Sequence, residues 1–395
     1  MRERHEIWQE CIPKRAMKIY QVGGAVRDEL LGLPVKDRDY VVVGSTPEAM
    51  TRLGYKPVGK DFPVFLHPDT HAEYALARTE RKTARGYHGF QVYAAPDVTL
   101  EQDLMRRDLT INAIAKDEHG NLIDPYGGER DLRDKVLRHV SAAFAEDPVR
   151  VLRVARFAAR FSDFRVAPET LTLMRAMAAN GEVDSLVAER VWQEFAKGLA
   201  EAKPSRMFET LLEADALHRI VPEFSRLAPG DRGLQKLDRA AADKATLAVR
   251  YATLISAIDA LEAAPRADPQ ASFTQLVSTR LRVPSPCADL AKLAQRWSQT
   301  IANARDLEAE PLLALLLGAD AIRRPVRFFD LLAASRYLAD GDLAAELSYL
   351  RRAHTTLVAL DTQAAIRSAP SAAEIPAQIR AAQLGALQKF IAAQT

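Results

Sequence analysis

Two hydrophobic periodicities divide this 395-residue chain. From Met17 to about Arg138, short apolar runs are separated by turn residues: Lys18–Val22, Asp39–Val43, Pro63–Leu66 and Ala72–Ala77. Runs this short, bounded by glycine, proline or aspartate, read as strands. The last two pair around the turn His67-Pro68-Asp69-Thr70, and a further hairpin closes at Glu118–Asn121. Ala25–Leu31 reads as a helix stopped by Gly32 and Pro34, and Thr46–Arg52 as one capped by Ser45 or Thr46 and stopped by Gly54. The basic segment Arg78–Phe90, punctuated by Gly86 and Gly89, reads as a mobile loop.

From about Val140 the strand signal ends. Glu146-Asp147-Pro148-Val149-Arg150 opens a helix, with carboxylates at its start and proline in its first turn. Along VLRVARFAARF, Val151, Val154, Ala155 and Ala158 make an apolar stripe, and Asp147, Arg150, Arg153 and Arg156 follow at i, i+3 on another side. Leu171–Ala179, Ala188–Leu199 and Ser205–Ala214 continue as amphipathic helices, broken at Gly181 and Pro204. Beyond Pro222 the pattern stays helical to the end, with breaks at Pro265–Pro269 and Pro284–Pro286. The prediction is an α+β protein: a mixed-sheet head over 17–139, a helical neck over 140–224 and a helical body and tail over 225–395. Residues 1–16 are polar, lack the apolar core of a signal peptide and read as a disordered extension.

Composition narrows the partners only slightly. Lys plus Arg total 54 against 52 Asp plus Glu, so any nucleic-acid surface must be local. The two cysteines, Cys11 and Cys287, form no metal or redox motif, which fits a reduced, cytoplasmic protein. No apolar run approaches the roughly 20 residues of a membrane span.

The candidate chemistry sits in Val22–Gly44, VGGAVRDELLGLPVKDRDYVVVG. Asp37 and Asp39 flank Arg38 and lead into an apolar strand, where side chains at i and i+2 share a face. Two adjacent carboxylates repel unless a cation lies between them, and Mg2+ suits such a pair while keeping positions open for phosphate. A polar turn before a buried strand is the alternative. Gly23-Gly24 upstream favours the metal, because glycine allows close backbone approach to a phosphate and a helix N-terminus follows. Glu73, inside an apolar strand pattern, is either an outward-facing residue of a one-sided sheet or a third carboxylate.

GGAVRD followed by D-x-D resembles the head of the polymerase-β-like nucleotidyltransferases, and more closely the bacterial class II tRNA nucleotidyltransferases, the CCA-adding enzymes. The bacterial poly(A) polymerases share that head. Arg106-Arg107-Asp108-Leu109-Thr110-Ile111-Asn112-Ala113 is similar to the family's RRDxTINA motif, and the resemblance makes Arg107 a nucleotide contact and Asn112 a buried organiser of the pocket. Asp124-Pro125-Tyr126-Gly127-Gly128-Glu129-Arg130-Asp131, read as a glycine turn capped by Asp131, resembles the segment linking head to neck. EDPVRVLRVARF resembles the EDxxR motif and its continuation, and AERVWQE a further neck motif. The likeness is strong over 17–224 and weak beyond.

The resemblance implies rebuilding of the 3′-terminal CCA of tRNA from CTP and ATP. It implies Mg2+ held by Asp37 and Asp39, Glu73 as the third carboxylate, and nucleotide binding by Gly24, Arg27, Arg107, Asp147, Arg150, Arg153 and Arg156. The basic segment after Arg78 corresponds to a loop that helps switch selection from CTP to ATP. The alternatives are a poly(A) polymerase using ATP alone and a non-catalytic tRNA-binding protein. KDRD and TINAIA look more like the CCA-adding branch. Some relatives carry a metal-dependent HD domain; here Ser256-Ala257 stands where His-Asp would be expected, so the chain is expected to lack phosphohydrolase activity.

Overall fold

The computed structural model describes residues 17–35, 37–58, 64–82, 90–261, 272–367 and 369–394. The N-terminal extension, Cys11, the glycines Gly86 and Gly89, and the Pro265–Pro269 break lie outside the described residues. Two compact units form: Met1–Val187 with Thr210–Ile220, and Ala188–Glu209 with Val221–Thr395.

The first unit is built on a seven-stranded mixed sheet. Its strands are β1 (Lys18–Val22), β2 (Asp39–Val43), β3 (Lys56–Val58), β4 (Val64–Leu66), β5 (Glu73–Leu76), β8 (Ala115–Lys116) and β9 (Leu122–Ile123), in the order β3-β4-β5-β2-β1-β8-β9. Only β2 and β5 run parallel within it, with Asp39 opposite Glu73. Strand alternation gives the sheet two apolar faces. Val22, Val41 and Val43 pack with Leu100 and Leu104 of helix α3 (Leu100–Met105) on one. Val42, Phe65 and Leu76 pack with Met50 of α2 (Pro47–Arg52) on the other. Tyr40 and Tyr74 stack on that second face, 4.5 Å between ring centroids. By the same alternation Asp39 and Glu73 belong to the first face, the side from which α3 leads into Arg106 and Arg107. Thr46, one of the two residues expected to cap α2, is the cap, accepting from the Ala49 amide at 3.2 Å.

The structure corrects three sequence readings. The ends of the basic segment are strands, β6 (Thr79–Lys82) and β7 (Phe90–Tyr93), paired antiparallel as a separate ribbon. The alternation Phe90-Gln91-Val92-Tyr93 is a strand pattern that the glycines obscured. The turn at 124–128 is capped by Asp124, whose carboxylate accepts from the Gly128 and Glu129 amides at 2.7 and 2.9 Å and starts α4 (Gly128–Arg133). Asp131 is instead buried inside α4, accepting from Thr110 Oγ1 at 2.7 Å and Arg138 at 3.0 Å. Finally, strand structure does not end near Val140: β10 (Val136–Leu137) pairs in parallel with β11 (Arg165–Val166). Two-residue strands carry too little periodicity to be read.

Helices α5 (Val149–Arg160) and α6 (Pro168–Ala179) complete most of this unit. In α5, Val151, Val154, Ala155 and Ala158 are fully buried, as the stripe required. Then follow α7 (Ala188–Ala200), α8 (Ser205–Glu213) and α9 (Leu217–Ile220). The second unit continues with α10 (Arg232–Ala242), α11 (Leu247–Asp259), α12 (Phe273–Arg280), α13 (Ser285–Ala302), α14 (Ala309–Gly318), α15 (Pro325–Leu338), α16 (Ala344–Val358), α17 (Thr362–Arg367) and α18 (Ile375–Ala392). Helix α11 is buried almost all round, which makes it the axis on which α10, α13 and α15 pack. Helices α14, α16 and α17 gather around α18.

Candidate active site

The site starts where β1 ends. Gly23 adopts φ +71°, a conformation that requires glycine, and a side chain there would lie within 2.9 Å of an Arg107 guanidinium nitrogen and push that arginine aside. Gly24 opens helix α1 (Gly24–Leu30), and its missing side chain leaves room for Arg27, whose guanidinium lies 3.3 Å from where a Cβ would be. Arg27 is only 3% exposed. Its nitrogens donate to Asp28 at 2.9 Å and to Asn112 Oδ1 at 2.5 Å, and the guanidinium lies 5.2 and 5.3 Å from the rings of Phe157 and Phe161 on α5. Burial pulls its pKa down, while Asp28 works in the opposite direction.

From Asn112 the network continues outward. Asn112 Nδ2 donates to Asp108 at 2.9 Å, and Arg153 Nε donates to the other oxygen of Asp108 at 2.7 Å. Asp108 is buried, which alone would raise its pKa, but the charge of Arg153 and hydrogen bonds from Asn112, Arg153 and the Leu109 amide hold it at about 2. Asp28 carries a second arginine, Arg160 at the end of α5, at 2.8 Å. Arg156 is buried over the Phe157 ring at 4.4 Å. Helix α5 is thereby fixed against α1 and the Arg106–Asn112 segment within one unit.

The carboxylates stand at the edge of this network. Asp39 begins β2 and Asp37 precedes the strand by two residues; both are exposed. Although the Asp39 residue is open to solvent, the protein packed around its carboxyl partly desolvates it and raises it above the usual range; Arg107 draws it back and the charge of Asp37 adds to the rise. Arg107 donates to Asp103 at 3.2 Å and to the Asn112 carbonyl at 3.4 Å, which aims it from the end of α3 toward the glycine turn. Two mutually repelling, exposed carboxylates with oxygen donors only are a donor set that fits a hard divalent cation. Glu73 lies opposite Asp39 on the neighbouring strand, exposed.

Asp147 and Arg150 are placed differently from the sequence expectation of one shared helix face. Asp147 has extended backbone before the helix and accepts from the Val149 amide at 3.1 Å, so it belongs to the turn that starts α5. Proline at 148 restricts the preceding residue to extended backbone, which excludes Asp147 from the helix. Arg150 is buried, and its two terminal nitrogens donate to the carbonyls of Ala143 and Arg106 at 2.8 and 2.7 Å. Asp28, Asp103, Asp108, Arg160, Phe157 and Phe161 were not singled out by the sequence, although all but Asp103, three residues before Arg106, lie inside a quoted stretch; spacing reveals which residues are polar, not which are joined across the fold.

Comparisons with known proteins follow this geometry. Residues 19–138 match the poly A polymerase head domain, and residues 163–227 match a probable RNA and SrmB binding site of polymerase A. A multifunctional CCA protein of Methylobacillus flagellatus is 58% identical over 339 residues, covering 80% of this chain and 82% of the relative. One from Azoarcus sp. is 51% identical over 399 residues, covering 94% and 97%. Among solved structures, a CCA-adding enzyme in an apo form superposes with a TM-score of 0.72 at 23% identity, covering 96% of this chain and 91% of that one. The Bacillus stearothermophilus CCA-adding enzyme in complex with CTP gives a TM-score of 0.67 at 23% identity, covering 96% and 93%. These structures share the fold.

Proposed function

Since the chain belongs to the family of multifunctional CCA proteins, we propose that it is a tRNA nucleotidyltransferase that restores the 3′-terminal CCA of tRNA from CTP and ATP without a nucleic-acid template. The observation that supports this most directly is the arrangement around Gly23: two exposed carboxylates, a glycine turn, Arg107 beside it, and the arginine-bearing helix α5 tied to the same turn through Asn112 and Asp108.

In this reading Asp37 and Asp39 hold a divalent cation, Mg2+, with Glu73 as a candidate third carboxylate. The ion would supply charge that stabilises the triphosphate and makes the primer 3′-hydroxyl easier to deprotonate. The Gly24 amide and the N-terminus of α1 take phosphate oxygens, the Gly23 amide being held by the Ile114 carbonyl at 3.3 Å. Arg107 and Arg153 face the nucleotide, while Arg27 and Arg156, both buried, set the pocket's shape from beneath. Asp147 and Arg150 read the base, for which Arg150 exchanges one of its contacts to the Ala143 and Arg106 carbonyls for the base edge. Cytosine and adenine share an amino donor beside a ring-nitrogen acceptor, whereas uracil and guanine present the reverse; a carboxylate with a guanidinium admits the first pair and repels the second.

The functional division we propose is a catalytic head over 17–139, a base-reading neck over 140–224 and an RNA-holding body and tail over 225–395. A tRNA substrate places the work in the cytoplasm, and among the described residues no helix is long and apolar enough to cross a membrane. The test is labelled CTP and ATP, supplied separately and together, with tRNAs truncated within their 3′ end. Addition that stops at CCA is expected. Long extension with ATP alone would make the chain a poly(A) polymerase, and no transfer would leave an inert RNA-binding protein.

A further inference from the structure

Strand β1 is apolar where it is buried, with one exception. Gln21, beside Val22, is 7% exposed, and its Nε2 is buried without a hydrogen-bond partner among the described residues. An amide costs free energy to bury in an apolar strand, and more when it stays half-satisfied, so its presence calls for a reason. Tyr20 and Val22 pack on the first face of the sheet and Ile19 on the second, so Gln21 also belongs to the second. Its cross-strand neighbours are Tyr40 on β2 and Lys116 on β8. Lys116 is taken by Glu29 at 2.6 Å, and the cation that Gln21 holds is another: Arg38 Nη1 donates to Gln21 Oε1 at 3.1 Å.

Arg38 stands between Asp37 and Asp39, both exposed. A guanidinium there has a carboxylate on each side of it in its own chain. Left free, it would fold over them, neutralise their charge and compete with a divalent cation. Held by Gln21, its charge lies on the second face, whereas Asp39 belongs to the first. The same bond spans the two strands that build the site: Gln21 is two residues before Gly23, and Asp39 pairs in register with Val22. Groups that orient metal ligands without touching the ion commonly set its affinity by about ten-fold or more.

We propose that Gln21 is a positioning residue for the metal-binding pair: it draws Arg38 to the far face of the sheet, which leaves Asp37 and Asp39 clear for a divalent cation and fixes their strand against the glycine turn. The inference rests on the metal reading of Asp37 and Asp39, and the test separates the two.

Mn2+ alone, a paramagnetic replacement for Mg2+, is titrated into the full-length protein without nucleotide or tRNA, and free Mn2+ is read by electron paramagnetic resonance. Asp39→Asn defines the binding that belongs to the carboxylate pair. Gln21→Leu should weaken that binding about ten-fold. Its melting temperature without metal should be the same or higher, because an apolar side chain of similar size replaces a buried, half-satisfied amide. A merely structural glutamine would do the reverse, lowering the melting temperature and sparing the metal. In an Arg38→Leu background, with no guanidinium to hold, Gln21→Leu should change the Mn2+ affinity no further. The Mg2+ concentration needed for half-maximal CTP addition should rise in parallel with the loss of Mn2+ affinity. Equal Mn2+ affinity in wild type and Gln21→Leu overturns the proposal, as does an equal loss in the Arg38→Leu background; both outcomes leave the metal reading standing. If Asp39→Asn binds Mn2+ as wild type does, the metal reading falls and the proposal with it.

Discussion

Asp108 is the residue on which the site's electrostatics turn, because it joins Asn112 under the glycine turn to Arg153 on α5. Its folded pKa of about 2 lies below the ordinary carboxylate value of 3.8, so the sign is that of a depressed acid. The stabilisation is fully present above about pH 4 and is lost as pH falls toward 2, roughly 2 kcal/mol in all. Urea unfolding of wild type and Asp108→Asn from pH 5 downward checks this: the gap between them should narrow with acid. A gap that stays constant would mean that shape, not charge, is what Asp108 contributes. Asp39 has the opposite sign. Burial and Asp37 raise its pKa, so its charge costs stability at neutral pH, and that cost disappears with acid. Asp39→Asn should therefore abolish nucleotide transfer while the apo protein melts at the same temperature or slightly higher. Added Mg2+ with CTP should raise the melting temperature of wild type more than that of the variant. Substantial Mg2+-dependent transfer by Asp39→Asn would remove the metal role.

At the scale of elements, α5 is tied both to α1, through Arg160 and Asp28, and to the Arg106–Asn112 segment, through Arg153 and Asp108. Arg150 holds the carbonyls of Ala143 and Arg106, and so binds the turn before α5 to the segment carrying Arg107. Arg150→Ala should lower CTP and ATP addition together and shrink the preference for CTP over UTP by about ten-fold, the scale of one base-reading pair. It should also cost about 1–3 kcal/mol in stability, through carbonyls left unpaired. An unchanged CTP-to-UTP ratio in a variant that only melts earlier would confine Arg150 to its carbonyl contacts. The same helix shows what the sequence makes legible. The apolar stripe of α5 follows from period 3.6, and β1, β2, β4 and β5 follow from short apolar runs, because burial on one face imposes periodicity. The GGAVRD and RRDLTIN segments stand out through their resemblance to a known family's motifs. What periodicity cannot carry is pairing at a distance: Asp28 with Arg160, or Asp108 with Arg153, are separated by many elements. The two-residue strands β10 and β11, and the ribbon β6–β7 beneath its glycines, are too short or too interrupted to produce a signal.

Over the whole molecule the titratable chemistry is unevenly distributed, and this argues for a single reaction centre. Beside α11 the second unit has another cavity, of about 510 Å3, between α10, α13 and α15. It is lined in part by Ser256 and Ala257, the positions where the metal-binding relatives would have His-Asp. A hydroxyl and a methyl are poor ligands for Ni2+ or Mn2+, which favour imidazole and carboxylate. The carboxylates nearby have other work: Asp231 caps α10 by accepting from the Gly233 amide at 2.6 Å, and Asp259 accepts from Gln295 at 2.6 Å. His354 is the only histidine after His218, and it is buried against Phe328 and Phe329 with a ring nitrogen 3.1 Å from the Ala321 carbonyl. The chain should therefore show no phosphatase or 2′,3′-cyclic phosphodiesterase turnover above background when Ni2+ or Mn2+ is added, under conditions where CCA addition proceeds. The decisive comparison is with Ser256→Phe, which fills this cavity without touching the first unit. Metal-dependent turnover that co-purifies with the wild type and disappears in that variant would show that the second unit keeps a hydrolytic site built from other ligands.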